Sequence, residues 1–196
     1  MSRQVFAVIV SFALVPFFAT AQSQPKAEDF AADVTEIAQG ELQTWINDPV
    51  LVYAIREQNQ VWGNISERKI TRLDKAWVKG GSRGPMVGDL IGRQASVILR
   101  DRRELSNGVI TEIIVMDQQG LNVAISDPTS DFYQGDEAKY QETYLRGPGA
   151  VHVSELEFDD STQKIQTQVS MTVVDPENGA PIGAVTFGID LTALTN

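Results

Sequence analysis

At Gly108 the spacing of apolar residues changes period, and that change fixes what the chain can fold into. Before it, Phe30, Val34, Ile37, Ala38, Leu42, Trp45 and Ile46 recur every three or four residues, which puts them on one face of a helix. Asp48-Pro49 supplies an N-cap and a first-turn proline that restart the stripe through Leu51, Ala54, Ile55, Val61 and Ile65, so a bend is expected near Asp48. Ser66 is placed to cap a third piece carrying Ile70, Leu73 and Trp77, closed by the breaker Gly80-Gly81-Ser82-Arg83-Gly84-Pro85. Val87, Ile91, Ala95, Ile98 and Leu105 mark one more helix. After Gly108 the period is two. Thr111–Met116 reads as a strand buried on both faces, Asp117–Gly120 as a hairpin turn, and Leu121–Ser126 as its partner strand. Val151–Phe158, Ile165–Val174 and Ile182–Asp190 follow, separated by turns at Asp159–Ser161 and Asp175–Gly179. The chain is therefore α+β, with long N-terminal helices packed on a five-stranded antiparallel sheet.

The connection from Asp127 to Ala150 is 24 residues long, well beyond a hairpin loop of about 2–5. It carries Phe132, Tyr133, Tyr140, Tyr144 and Leu145 and a short predicted helix from Asp136 to Leu145, so it packs on something. If the N-terminal helices cover one face of the sheet, this helical lid covers the other. That face holds His152, Ser154, Gln168, Ser170 and Thr186 in the last three strands. A covered polar face makes a polar pocket.

Charge and composition remove several functions. With 16 basic and 26 acidic residues the net charge is −10, a field that repels nucleic acid and anionic headgroups. The absence of cysteine excludes disulfides, thiolate catalysis, zinc–thiolate and iron–sulfur sites and a lipid-anchoring Cys. His152 is the single histidine, and there is no Gly-x-Ser-x-Gly elbow or P-loop, so neither an enzyme nor a cofactor is expected. The acids Glu155, Glu157, Asp159 and Asp160 lack the spacing of a calcium loop and no metal site is expected.

Residues 1–21 have the pattern of an export signal: Arg3, an apolar run from Val5 to Phe18, and Ala19-Thr20-Ala21 as a small-x-small site. The run falls short of the ~20 residues needed to span a bilayer. Cleavage after Ala21 is expected, leaving a periplasmic protein without a membrane span. The expected organisation is 1–21 signal, 22–108 helical region and 109–196 sheet with lid, the last two forming one domain. A helical stripe reaching from Phe30 to Leu105 offers more apolar face than one sheet needs, which predicts a homodimer through the N-terminal helices.

Four stretches carry a family resemblance: RLDKAWV at 72–78, ITEIIVMDQQGLNVAISDPTSDFYQGDEAKYQETYLRG at 110–147, GAVHVSELEFDDST at 149–162 and VSMTVVDPENGAPIGAVTFGIDL at 169–191. In these stretches and in the order of its elements the chain resembles the Cache family, the extracytoplasmic PAS-like sensors. Cache domains usually sit between two membrane helices of a chemoreceptor or histidine kinase. The sequence shows neither a second membrane helix nor an output domain, so the resemblance implies a free-standing module that passes its signal to a membrane sensor or transporter. It also implies a small polar ligand, such as a carboxylate, amino acid or amine, held between lid and sheet. Carried onto this chain, the implied ligand-binding positions are Asp131, Tyr133, Lys139 and Tyr140 on the lid, Ser126 at a strand end, and Gln168 and Ser170 on the sheet.

Lys139 has a plainer reading as a surface pair with Asp136, Tyr140 and Tyr144 as packing, and His152, the single histidine, as structural. The alternative function is an envelope interaction module without a small ligand, whose lid core would be filled by its own side chains.

Overall fold

The computed structural model describes residues 34, 36–37, 40, 42–159 and 164–194; the expected signal segment lies outside them. Helix α1 spans Gln43–Ile46, α2 Pro49–Trp62, α3 Glu67–Gly80, α4 Pro85–Gly92 and α5 Gln94–Leu105. Strands β1 (Ile110–Asp117) and β2 (Asn122–Ile125) precede the lid, which contains α6 (Ala138–Gln141) and a 3-10 turn at Tyr144–Arg146. Then come β3 (Val151–Val153), β4 (Glu157–Asp159), β5 (Lys164–Val174), β6 (Pro181–Asp190) and α7 (Leu191–Leu194).

All strand pairs are antiparallel, in the order β2-β1-β6-β5-β3, with β4 also on β5. The third strand expected at Val151–Phe158 is split into β3 and β4. Ser154 causes the break: its hydroxyl accepts the Gln168 N–H at 2.9 Å while its carbonyl accepts Thr167 Oγ1 at 3.0 Å, so side chains replace ladder bonds.

Register sorts the side chains into two cores. Ile113, Val115, Val169, Met171, Val185 and Phe187 share one face and pack under Leu51, Ile55 and Leu99 of α2 and α5. Ile114, Met116 and Ala184 share the other and pack with Trp77, Val87 and Leu90 of α3 and α4 and with Phe132 and Tyr140 of the lid. The helices are thus not confined to one face, as the sequence suggested. The chain turns around the β2 edge at α3 and α4 and returns with α5, where Ser96 Oγ accepts the Ile125 N–H at 3.0 Å. The helix expected from Val87 to Leu105 breaks at Arg93, whose backbone is extended with ψ 148°, and this break lets α4 and α5 serve different faces.

The bend at Asp48 is built twice over. Asp48 Oδ1 accepts the Val50 N–H at 2.8 Å, and Arg102 of α5 reaches both Trp45 O at 2.7 Å and Asp48 Oδ2 at 2.5 Å. Ser66 sits at the start of α3 but makes no side-chain capping bond.

Candidate functional site

The lid is two pieces with different attachments. The first, residues 127–134, is tied down along most of its length. Arg103 of α5 pairs with Asp127, Trp77 Nε1 donates to Thr129 O at 3.0 Å, and the Asn122 side-chain amide donates to Thr129 Oγ1 at 2.9 Å and Asp131 O at 3.1 Å. Asp74 Oδ1 of α3 accepts two backbone amides, Phe132 at 2.9 Å and Tyr133 at 3.1 Å. On the other side the Asn122 N–H donates to Phe132 O and the Gln134 N–H to Gly120 O, so the piece runs along the hairpin turn like a further strand. Gly120 permits this: its φ is +76° and a Cβ there would stand 2.5 Å from the Gly135 backbone. Phe132 stacks on Trp77 at 5.3 Å and meets the edge of Trp62 at 5.8 Å.

The second piece, residues 136–149, bonds mainly to itself. Lys139 Nζ pairs with Glu137 at 3.1 Å, Thr143 Oγ1 donates to Lys139 O at 2.6 Å, and Arg146 pairs with Glu142 at 2.9 Å. The Thr143 back-bond accompanies the end of α6, so the helix expected over 136–145 is one short turn followed by the 3-10 turn. Among the described residues, the one side-chain hydrogen bond from this piece to the sheet or its hairpin turn is Tyr140 Oη to Gln118 O, at 2.7 Å.

Beneath the second piece lie β5 and β6, which α6 and the 3-10 turn both contact. Ser170 and Thr186 are opposite each other, fully buried, with hydroxyls 2.9 Å apart. Thr172 follows on the same face; its Oγ1 is buried and has no hydrogen-bond partner among the described residues. His152 lies beside Ser170 across β3.

Burial, followed by the neighbouring Glu137 and Asp74, raises the Asp131 carboxyl above its ordinary range, while Gln134 and Lys139 pull it back. Burial likewise pushes up the Tyr140, Tyr144 and Tyr133 hydroxyls. Arg146 holds Glu142 low, with His152 a smaller contributor.

Of the residues implied by the resemblance, the structure groups Asp131 and Lys139 around Glu137 and Gln134, whose amide donates to Asp131 Oδ1 at 2.5 Å. Lys139 pairs with Glu137 rather than with the expected Asp136. Tyr133 is half-buried over Gly135, and Tyr140 is buried and stacked on Tyr144 at 5.2 Å. Ser170 is on the floor. Ser126 stands apart beyond β2: its hydroxyl accepts the Ile113 N–H and donates to Asp127, both at 2.8 Å. Gln168 shares the Ser170 face but bonds Glu112 at 2.8 Å, in a separate polar trough over Gly188.

Asp74, Thr143 and Thr172 were not among the expected site residues. Thr172 continues the alternation of Gln168 and Ser170 and was legible on that ground; Asp74 gave no signal beyond its place near Trp77 in α3.

No family model matches the chain, and no curated protein does. Similar solved structures exist. One is the ligand-binding domain of the Campylobacter jejuni chemoreceptor Tlp3 in complex with 4-methylisoleucine, 14% identical, covering 81% of this chain and 64% of that one at a TM-score of 0.40. Another is the sensor domain of the Vibrio cholerae histidine kinase DctB, 14% identical, covering 84% and 58% at 0.35. A third is the ligand-binding domain of the Pseudomonas aeruginosa chemoreceptor PctC in complex with GABA, 12% identical, covering 86% and 63% at 0.36. The chain thus spans about three fifths of the length of these domains, which are of the Cache type that the sequence resembles.

Proposed function

We propose that this protein is a sensor module of the Cache type, exported with cleavage after Ala21, that binds a small polar metabolite between lid residues 136–149 and the floor of Ser170, Thr172 and Thr186, and that it is not an enzyme. The carrying observation is the floor itself. Three hydroxyls are shut from water under a helical segment, two bonded only to each other and the third, Thr172 Oγ1, to nothing among the described residues. An unpaired buried hydroxyl costs about 1–3 kcal/mol, which a ligand's polar group recovers by pairing with it. Lys139 and Asp131 supply opposite charges on the lid side, a combination suited to a carboxylate, an amine or an amino acid. The test is a thermal-shift screen of those three classes; a ligand-induced rise supports the reading, and a screen that moves nothing removes it.

A groove of about 430 Å³ between α2 and the start of α5 favours a second reading, an interaction module or homodimer through the N-terminal helices. Tyr53 and Val61 on its wall are 62% and 75% exposed. Light scattering at micromolar concentration decides whether the chain pairs.

A further inference from the structure

Helix α3 reverses the charge of the molecule. Residues 67–80 hold five of the 16 basic residues and two of the 26 acidic ones, a local net charge of +3 in a chain of −10. Arg68, Arg72, Lys75 and Lys79 are spaced four, three and four apart and all are exposed. At 3.6 residues per turn they fall within an arc of about 60°, and at 1.5 Å per residue they form a line about 16 Å long. The buried side chains Ile70 and Trp77 are on the opposite side. No ion pair among the described residues involves any of the four cations. Like charges at these spacings oppose the helix by a few tenths of a kcal/mol per pair, and the mid-helix acid that could relieve them, Asp74, is turned to the lid amides.

We infer that this stripe docks the protein on an anionic phospholipid surface. Charge complementarity names the partner, and the make-up of the stripe selects lipid over protein. Protein interfaces are depleted in Lys and built around aromatic or aliphatic anchors, whereas the stripe is bordered by Thr71, Ala76 and Val78. Headgroup attraction needs only cations brought near the surface. A row of long side chains on the crest of a convex helix touches a plane along its whole length. The net charge of −10, which sets the molecule as a whole against anionic headgroups, does not cancel it, because at physiological salt a charge is screened beyond about 8 Å and the stripe acts locally. The acids elsewhere on the chain orient the molecule instead, with α3 toward the membrane. Since α3 holds the lid through Asp74 and Trp77, the docked face and the lid are two sides of one helix.

The test is co-sedimentation of the whole chain with vesicles of phosphatidylcholine containing about 30% phosphatidylglycerol, at about 0.1 M salt and again at about 0.5 M. The expected result is binding at low salt, release at high salt and none to pure phosphatidylcholine. Charge reversal at Arg68, Arg72, Lys75 and Lys79 together should weaken binding at least about tenfold. Neutralisation of the same four to Gln gives a milder loss if reversal impairs folding, and Lys69→Gln, off the stripe, keeps full binding. All variants share one N-terminal sequence, so an apolar leader cannot produce the difference. Equal binding by the parent and both stripe variants, or none to anionic vesicles, overturns the inference. Capture by poly-L-glutamate without capture by vesicles also overturns it, in favour of an acidic protein.

Discussion

The Tyr140 hydroxyl donates to the Gln118 carbonyl at 2.7 Å, and the N–H of Gln118 in turn donates to Asn59 Oδ1 of α2 at 2.9 Å. One residue of the hairpin turn therefore links the looser half of the lid to the N-terminal helix. Asn59 also donates to Ile182 O at 2.7 Å, which fixes the helix to β6, so the turn is a rigid post and the lid is latched to it.

Tyr140→Phe removes the latch and keeps the ring. It is expected to cost about 0.5–1.5 kcal/mol. Hydrogen exchange should rise over residues 136–149 and stay unchanged over 127–134, whose bonds to Asp74, Trp77 and Asn122 remain. Equal loss of protection in both pieces would show a single cooperative lid.

Asp74→Ala leaves two amides, Phe132 and Tyr133, without their acceptor. The expected loss is about 1–3 kcal/mol in urea unfolding, with Asp74→Asn retaining part of it because its amide oxygen still accepts. If Asn is no better than Ala, the carboxylate's charge matters more than its hydrogen bonds.

The layers were legible in the sequence and their wiring was not. Periodicity is local, so the change at Gly108, the turn at Asp117–Gly120 and the bend at Asp48 could be read from neighbours along the chain. Which hydroxyl meets which depends on register between residues far apart: Ser170 faces Thr186, while Ser126, equally polar in sequence, caps the backbone of Ile113. The same limit applies to Asp74, whose partners lie 58 and 59 residues away. The split of the third strand at Ser154 was hidden because it needs Thr167 and Gln168 opposite.

Gly183→Ala tests how closely β6 approaches β1. A Cβ there would stand 2.1 Å from the Met116 carbonyl oxygen, a contact with backbone that no side-chain rotation relieves. Destabilisation of several kcal/mol, on the order of 3–5, is expected by denaturant unfolding. A variant within about 1 kcal/mol of the parent would mean the two strands separate easily.

Two carboxyls should give opposite pH trends. Asp175 is held below its ordinary range first by its bond from Arg56, so the stability it contributes is present above the unfolded value of about 3.9 and is lost as pH falls through the lower folded value. Arg56→Ala should flatten that acid limb. Asp131 is raised, chiefly by burial; its contribution is most favourable when protonated and declines as pH rises from the unfolded value through the folded one. Asp131→Asn should therefore be relatively more stable at pH 7 than at pH 4, compared with the parent in urea melts at both.

Thr172→Val and Lys139→Ala test the ligand site, once the screen has supplied a ligand. A ligand at 100 times its dissociation constant stabilises the fold by about 2.7 kcal/mol, a rise of roughly 5–10 °C for a chain of this size. Val is nearly the shape of Thr without its hydroxyl, and Thr172 Oγ1 has no hydrogen bond to lose. The apo melting temperature of Thr172→Val should therefore equal or exceed the parent's, while the ligand shift shrinks because the hydroxyl's partner arrives only with the ligand. Lys139→Ala loses its pair with the half-exposed Glu137, its attraction to Asp131 and the packing of its largely buried stem, so its apo melting temperature should fall by a few degrees. Its ligand shift should fall most for carboxylates and least for amines. A Thr172→Val protein that melts lower in the absence of ligand and responds fully in its presence would place a water, not a ligand group, on that hydroxyl.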